Sequence, residues 1–201
     1  MDAPWDAKLE ALWEKLQALE TELASEVEKN RSRLFYKVER TRIRFEREAV
    51  VRHRLLTKKI RHYLKDAALL NILTAPVIWS CLMPAVLMDA VLSFYQWVCF
   101  PVYGIPRVRR ADYILLDRGF LRYLNAIERF NCFYCAYFNG VVAYTREIAA
   151  RTEQYWCPIK HARRIRGIHS RYSKFLDYGD AEAFRQEIER VRRDFADLKK
   201  Q

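Results

Sequence analysis

The sequence predicts an all-α fold, with a membrane helical hairpin flanked by long amphipathic, coiled-coil-like helices on the cytoplasmic side. Five glycines and six prolines in 201 residues leave few turns. No long stretch alternates apolar and polar residues with period two. Residues 67–106 carry one formally charged side chain, Asp89, in a chain that is 30% Asp, Glu, Lys and Arg. A composition that is 51% hydrophobic and 14% aromatic is ample for a packed fold and excludes a disordered chain. Four segments follow from these patterns: a long N-terminal helix (1–65), the membrane hairpin (66–106), aromatic and cysteine-rich helices (107–162), and a basic segment with a C-terminal heptad helix (163–201).

Residues 5–65 read as one long helix or two end to end. Leu9, Leu12, Leu16, Leu19 and Leu23 keep the alternating three and four spacing of a heptad seam, with Trp5 and Trp13 beside it, and such a seam seeks a partner helix. After Leu23 the register loosens through Val27, Leu34, Val38, Phe45 and Leu56. Charge divides the segment: residues 1–30 hold eight acids and three bases, residues 31–65 thirteen bases and three acids. The acidic amphipathic start is not that of a cleavable signal peptide. A polybasic stretch beside a bilayer gains on the order of 1 kcal/mol per Lys or Arg from anionic lipid. Arg40, Arg42, Arg44, Arg47, Arg52, Arg54, Lys58 and Lys59 are therefore expected along headgroups, joined by Arg107, Arg109 and Arg110 beyond the apolar run.

The run of residues 67–106 is long enough for two close passes of a bilayer, each needing roughly 20 residues. The expected break is at Met83-Pro84, or in the residues on to Asp89, where proline disfavours helix and a carboxylate can reach headgroups. Bases on both flanks place both ends in the cytoplasm by the positive-inside rule. Pro76, Pro84, Pro101 and Pro106 equally allow a re-entrant loop. The competing reading is the core of a soluble bundle, which would keep a polar stripe. Asn71, Thr74, Ser80, Ser93 and Gln96 read instead as scattered. Trp79, Tyr95, Trp97 and Tyr103 suit either setting.

Residues 111–160 are the densest aromatic part, with a helical stripe of Phe120, Leu121, Leu124 and Ile127. The uncharged stretch 130–145 is too short and too rich in Tyr and Asn for a span. It reads as an in-plane helix or one buried against the hairpin, its tyrosine hydroxyls reaching polar partners. Here lies the one constellation with metal-ligand chemistry: Cys132 and Cys135 as a CxxC, then Cys157 and His161, which together could hold zinc, iron or haem. On an unbroken helix Cys135 and Cys157 would stand roughly 33 Å apart, so such a site needs a chain reversal or a second protomer. Buried structural cysteines or acylated ones are the competing readings. No ExxH pair, phosphate-cradling glycine loop or nucleophile elbow accompanies them.

The stretch from Arg151 to Ala162, with Asn131-Cys-Phe-Tyr-Cys135 and Asn139-Gly140 before it, resembles a stretch of uncharacterised bacterial proteins. That resemblance implies a bacterial source, and with it the bacterial inner membrane as the expected location, and no activity.

In the tail, residues 163–174 are basic and are expected on the same membrane face, with His169 at the surface. Gly179-Asp180 reads as a loop end and helix N-cap. Phe184, Ile188, Val191, Phe195 and Leu198 then make a second heptad seam, free to pair with the first in this chain or a neighbour. The expected role is thus a non-enzymatic membrane scaffold, assembly factor or accessory subunit. Its expected partners are anionic lipid and further helices, in the same oligomer or a membrane complex, with no cofactor expected. A metal- or haem-binding membrane redox protein is the alternative. Nucleic acid, raised by the net charge of +11, ranks below lipid because no recognisable binding module accompanies the charge.

Overall fold

The computed structural model describes residues 4–33, 36–39, 42–45 and 47–200, with side chains for 11, 12, 14–29 and 50–198. The chain is predominantly helical, in the all-α class, and divides into two compact units. One comprises residues 1–59 and 120–125, the other 60–119 and 126–201.

In the first unit, α1 (Pro4–Arg33) is followed by a short antiparallel pair, β1 (Tyr36–Glu39) and β2 (Arg42–Phe45), and by α2 (Arg47–Leu55). The expectation of one long helix, or two end to end, over 5–65 is therefore corrected. Tyr-Lys-Val-Glu and Arg-Ile-Arg-Phe each alternate over four residues, and the register pairs Tyr36 with Phe45 and Val38 with Ile43. Thr57 Oγ1 donates to the Arg122 carbonyl at 3.0 Å, and the His53 and Tyr123 rings meet edge-on at 5.1 Å. These contacts tie Phe120–Asn125 to this unit.

The second unit is built on two parallel helices. After α3 (Ile60–Asp66), α4 (Leu69–Ser80) leads through Cys81 into α5 (Leu82–Tyr103). Cys81 has helical dihedrals, φ −65° and ψ −13°, so the chain does not reverse there. Met83, Pro84 and Asp89 all lie inside α5, and the expected break is corrected. Pro84 falls in the first turn of α5, where a missing backbone donor costs little. Gly104, at φ 69°, ends the helix in the left-handed conformation that glycine adopts without strain.

The chain re-enters the second unit as α6 (Ala126–Trp156). Contacts between α5 and α6 advance together along both chains: Ala85 with Tyr137 and Val141, Gln96 with Tyr144, Tyr95 with Thr152, and Tyr103 with Tyr155. Parallel neighbours need a return path, and residues 105–119 supply it by running back along the groove between them. Ile105 and Val108 join Phe100, Tyr144 and Ile148 in one core cluster, and Ile114 joins Ala85, Tyr137 and Val141 in the other. Gly140 permits the close approach: a Cβ there would stand 2.8 Å from the Tyr113 carbonyl oxygen and 2.9 Å from Ile114 Cα. α6 therefore continues through Asn139-Gly140 without a break. The stripe of Phe120, Leu121 and Leu124 precedes the helix rather than forming part of it.

The C-terminal segment folds back onto α6. Asp180 caps α7 (Ala181–Val191) by accepting from the Ala183 amide at 2.9 Å, as the sequence predicts. The heptad reading of the tail is corrected, because α7 stops at Val191 and both Val191 and Phe195 are buried, Phe195 within the Phe100–Tyr144 cluster. Phe184, Ile188 and Leu198 are half-buried. Gln154, fully buried, donates to the Val191 and Asp194 carbonyls at 2.8 Å each and accepts from Arg171 Nε at 2.6 Å. The buried Arg171 lies over the Phe195 ring and forks onto Asp197, which also takes Lys174 at 2.8 Å. Paired guanidinium and ammonium groups hold the Asp197 carboxyl well below the usual carboxylate range.

Candidate lipid interface

Helix α5 has two faces of opposite character, and their order is inverted relative to a water-soluble helix. Asp89, Ser93 and Gln96 step by four and three, so they form a stripe with Ala85, Leu92 and Phe100. That stripe faces α6. Asp89 is 7% exposed and receives Arg110 Nε at 3.0 Å, Arg110 Nη2 at 2.7 Å and the Tyr137 hydroxyl at 2.8 Å. Ser93 and Tyr144 share a hydrogen bond at 3.1 Å, and Gln96 Nε2 donates to the same tyrosine. Gln96 also serves the return segment as a backbone surrogate. Its Oε1 accepts from the Val108 amide at 2.9 Å, and its Nε2 donates to the Val108 carbonyl at 3.3 Å. Arg151, buried and paired with Glu147 at 2.8 Å, donates to the Pro106 carbonyl at 2.8 Å. An irregular segment in the groove thereby satisfies backbone groups that no regular ladder serves.

The outward face carries Met83, Val86, Leu87, Val91, Phe94, Trp97, Val98 and Val102, all exposed, with Met83 at 81% and Val102 at 78%. α4 has no fully buried residue, and Leu69, Leu70, Leu73 and Val77 are open to the surroundings. Beneath α4, Trp79 donates to Asn131 Oδ1 at 3.1 Å and meets Phe130 edge-on. In the most apolar 18-residue window of Leu69–Tyr103, only 11% is buried. A soluble core helix of that composition would be mostly enclosed.

The expected headgroup contacts divide. Arg52, Arg54, Lys58 and Lys59 are exposed in the first unit. Arg42 and Arg44 lie on β2 and Arg47 opens α2, whereas Arg40 lies outside the described residues. In the second unit Arg107 and Arg109 are exposed, and Arg107 Nη2 reaches the Trp97 carbonyl at 3.1 Å, at the edge of the apolar face. Arg110 pairs with Asp89 while its side chain stays half-exposed. Asp89, expected at a turn, is corrected to the helix interface, where one of the flanking bases, Arg110, is its partner.

Leu12, Leu16, Leu19 and Leu23 of the N-terminal seam are 45–65% exposed on α1, and Leu9 lies on the same helix with its side chain outside the described residues. Cys132 and Cys135 sit on α6, half-buried and exposed, while Cys157 and His161 follow its end and are exposed. Because α6 is unbroken from Ala126 to Trp156, Cys135 and Cys157 stand about 33 Å apart. The expected four-ligand site does not assemble within the chain, and no cluster of three or more metal-ligating side chains occurs among the described residues. His169 is half-buried rather than superficial. Its Nδ1 accepts from the Arg171 amide at 3.2 Å and its Nε2 lies 3.0 Å from Glu153, while burial pulls its pKa below the ordinary value.

Asp89, Ser93 and Gln96 are not scattered as the sequence reading has them: their four-three spacing makes a polar stripe. Fold and surface together define a class: a predominantly helical protein with, among the described residues, one helix long and apolar enough to cross a membrane. Comparisons with protein families, characterised proteins and solved structures give no match.

Proposed function

We propose that the protein is a non-enzymatic membrane-embedded helical protein acting as a scaffold, assembly factor or accessory subunit at a bacterial inner membrane. The observation that carries this reading is the inverted amphipathicity of α5, with Asp89, Ser93 and Gln96 turned in and Met83, Leu87, Phe94 and Val102 turned out. Polar groups facing the protein interior and apolar groups facing outward are what acyl tails select and water rejects. Fully enclosing one such side chain contributes about 1.5–3 kcal/mol. The eight outward residues of α5 alone therefore represent on the order of 10 kcal/mol for transfer into hydrocarbon.

Oligomerisation is assigned to the α1 seam alone, since Val191 and Phe195 are consumed within their own unit. Purified protein should aggregate in detergent-free buffer and float with vesicles containing anionic phospholipid. Monodisperse behaviour in plain buffer, with no flotation, would overturn the reading.

A further inference from the structure

We propose that Leu69–Tyr103 lies in one leaflet, along the bilayer plane, and does not cross; its partner is an anionic phospholipid surface. This rests on the membrane reading above. The helix is 35 residues long, about 52 Å, whereas a hydrocarbon core is about 30 Å thick. A single perpendicular crossing therefore leaves a large excess, and no reversal near Pro84 divides the helix into two passes.

The return segment is the stronger obstacle to crossing. Residues 105–114 run back beside α5 from Phe100 to Ala85: Val108 is bonded to Gln96, Arg110 to Asp89, and Tyr113 and Ile114 lie against Gly140 opposite Ala85. Were α5 to cross, this irregular backbone would occupy the same depth, together with the exposed Arg107, Arg109, Asp112, Asp117 and Arg118. Non-helical backbone is tolerated in hydrocarbon only where protein or a water-filled cavity encloses it. In-plane placement removes the conflict. The outward face of α5 sinks about 5–10 Å into the leaflet, the polar stripe and α6 stay above it, and the return segment lies in the headgroup and water region. Arg107, reaching the Trp97 carbonyl at the edge of the apolar face, is then level with phosphates.

The test places spin labels at Met83→Cys, Val91→Cys and Val102→Cys, in a background with the native cysteines replaced, on vesicles containing phosphatidylglycerol. In-plane placement gives three depths that agree within about 5 Å. A crossing helix separates the outer two by about 28 Å along its axis, which overturns the inference and leaves the membrane reading standing. Neutron reflectometry of the unmodified protein on a supported bilayer supplies the second arm. Protein mass confined to the side of addition is expected, and mass on both sides overturns the inference. Replacing Arg107 and Arg109 by Gln should weaken binding to phosphatidylglycerol vesicles about thirtyfold at low salt. An unchanged affinity removes the anionic-surface assignment. Absence of any vesicle binding by the unmodified protein overturns both the inference and the reading beneath it.

Discussion

Gly140→Ala separates packing from helix propensity by the sign of its effect. In mid-helix, alanine is favoured over glycine by about 1 kcal/mol, so propensity alone makes the variant more stable. In the structure the new Cβ would stand 2.8 Å from the Tyr113 carbonyl oxygen and 2.9 Å from Ile114 Cα, both of them backbone and unable to rotate away. Displacing the return segment also strains the Val108–Gln96 bonds and the Arg110–Asp89 pair. Overpacking of this kind costs about 1–3 kcal/mol. With a segment fixed at several points the upper part of that range applies, leaving a net loss of about 1–2 kcal/mol. For a chain of this size the loss lowers Tm by about 3–6 °C. Thermal unfolding followed by circular dichroism in mild detergent reads it. Ala149→Gly, at an exposed position of the same helix, serves as the propensity control. A Gly140→Ala variant that melts higher than the parent would show that the return segment does not occupy the groove.

Further outcomes follow from the same structure. Asp89→Ala leaves Arg110 and Tyr137 without their acceptor, and because Arg110 is half-exposed the loss should be about 2–3 kcal/mol by thermal or denaturant unfolding. Asp197 has a folded pKa below its unfolded value of about 3.9. Its contribution is therefore complete above that value and fades as pH falls below 4; in Asp197→Asn the acid-side slope of stability should flatten. Leu16→Glu with Leu19→Glu places charge on the exposed α1 seam and should reduce self-association in sedimentation while leaving the melting of the second unit unchanged. Cys157→Ala should leave the metal content of the purified protein unaltered, since α6 holds Cys157 about 33 Å from Cys135.

The apolar run and the Asp180 cap were legible because each is written locally, in composition or in a four-residue motif. The inward direction of Asp89, Ser93 and Gln96 was legible as spacing, yet the charge of Asp89 suggested a turn at headgroups, and its true partner Arg110 is supplied by a return path that no local pattern encodes. For Gly140 the sequence is ambiguous, since glycine marks either a turn or a close backbone approach, and only the tertiary route of residues 105–119 decides between them. Phe195 continued the heptad of α7 in sequence although the helix ends at Val191, so spacing alone assigned an outward role to a core residue. The β1–β2 pair escaped because four-residue alternations are short against a helix-rich background.

Tryptophan quenching by phospholipids brominated on their acyl chains probes the lipid contact most directly, because Trp97 lies on the outward face of α5 and is 61% exposed. Vesicle-bound protein should be quenched strongly, and Trp97→Phe should lose much of that quenching while still binding. Emission unaffected by brominated lipid, in protein that remains folded and dispersed in buffer, would mean that the apolar face of α5 meets something other than acyl chains.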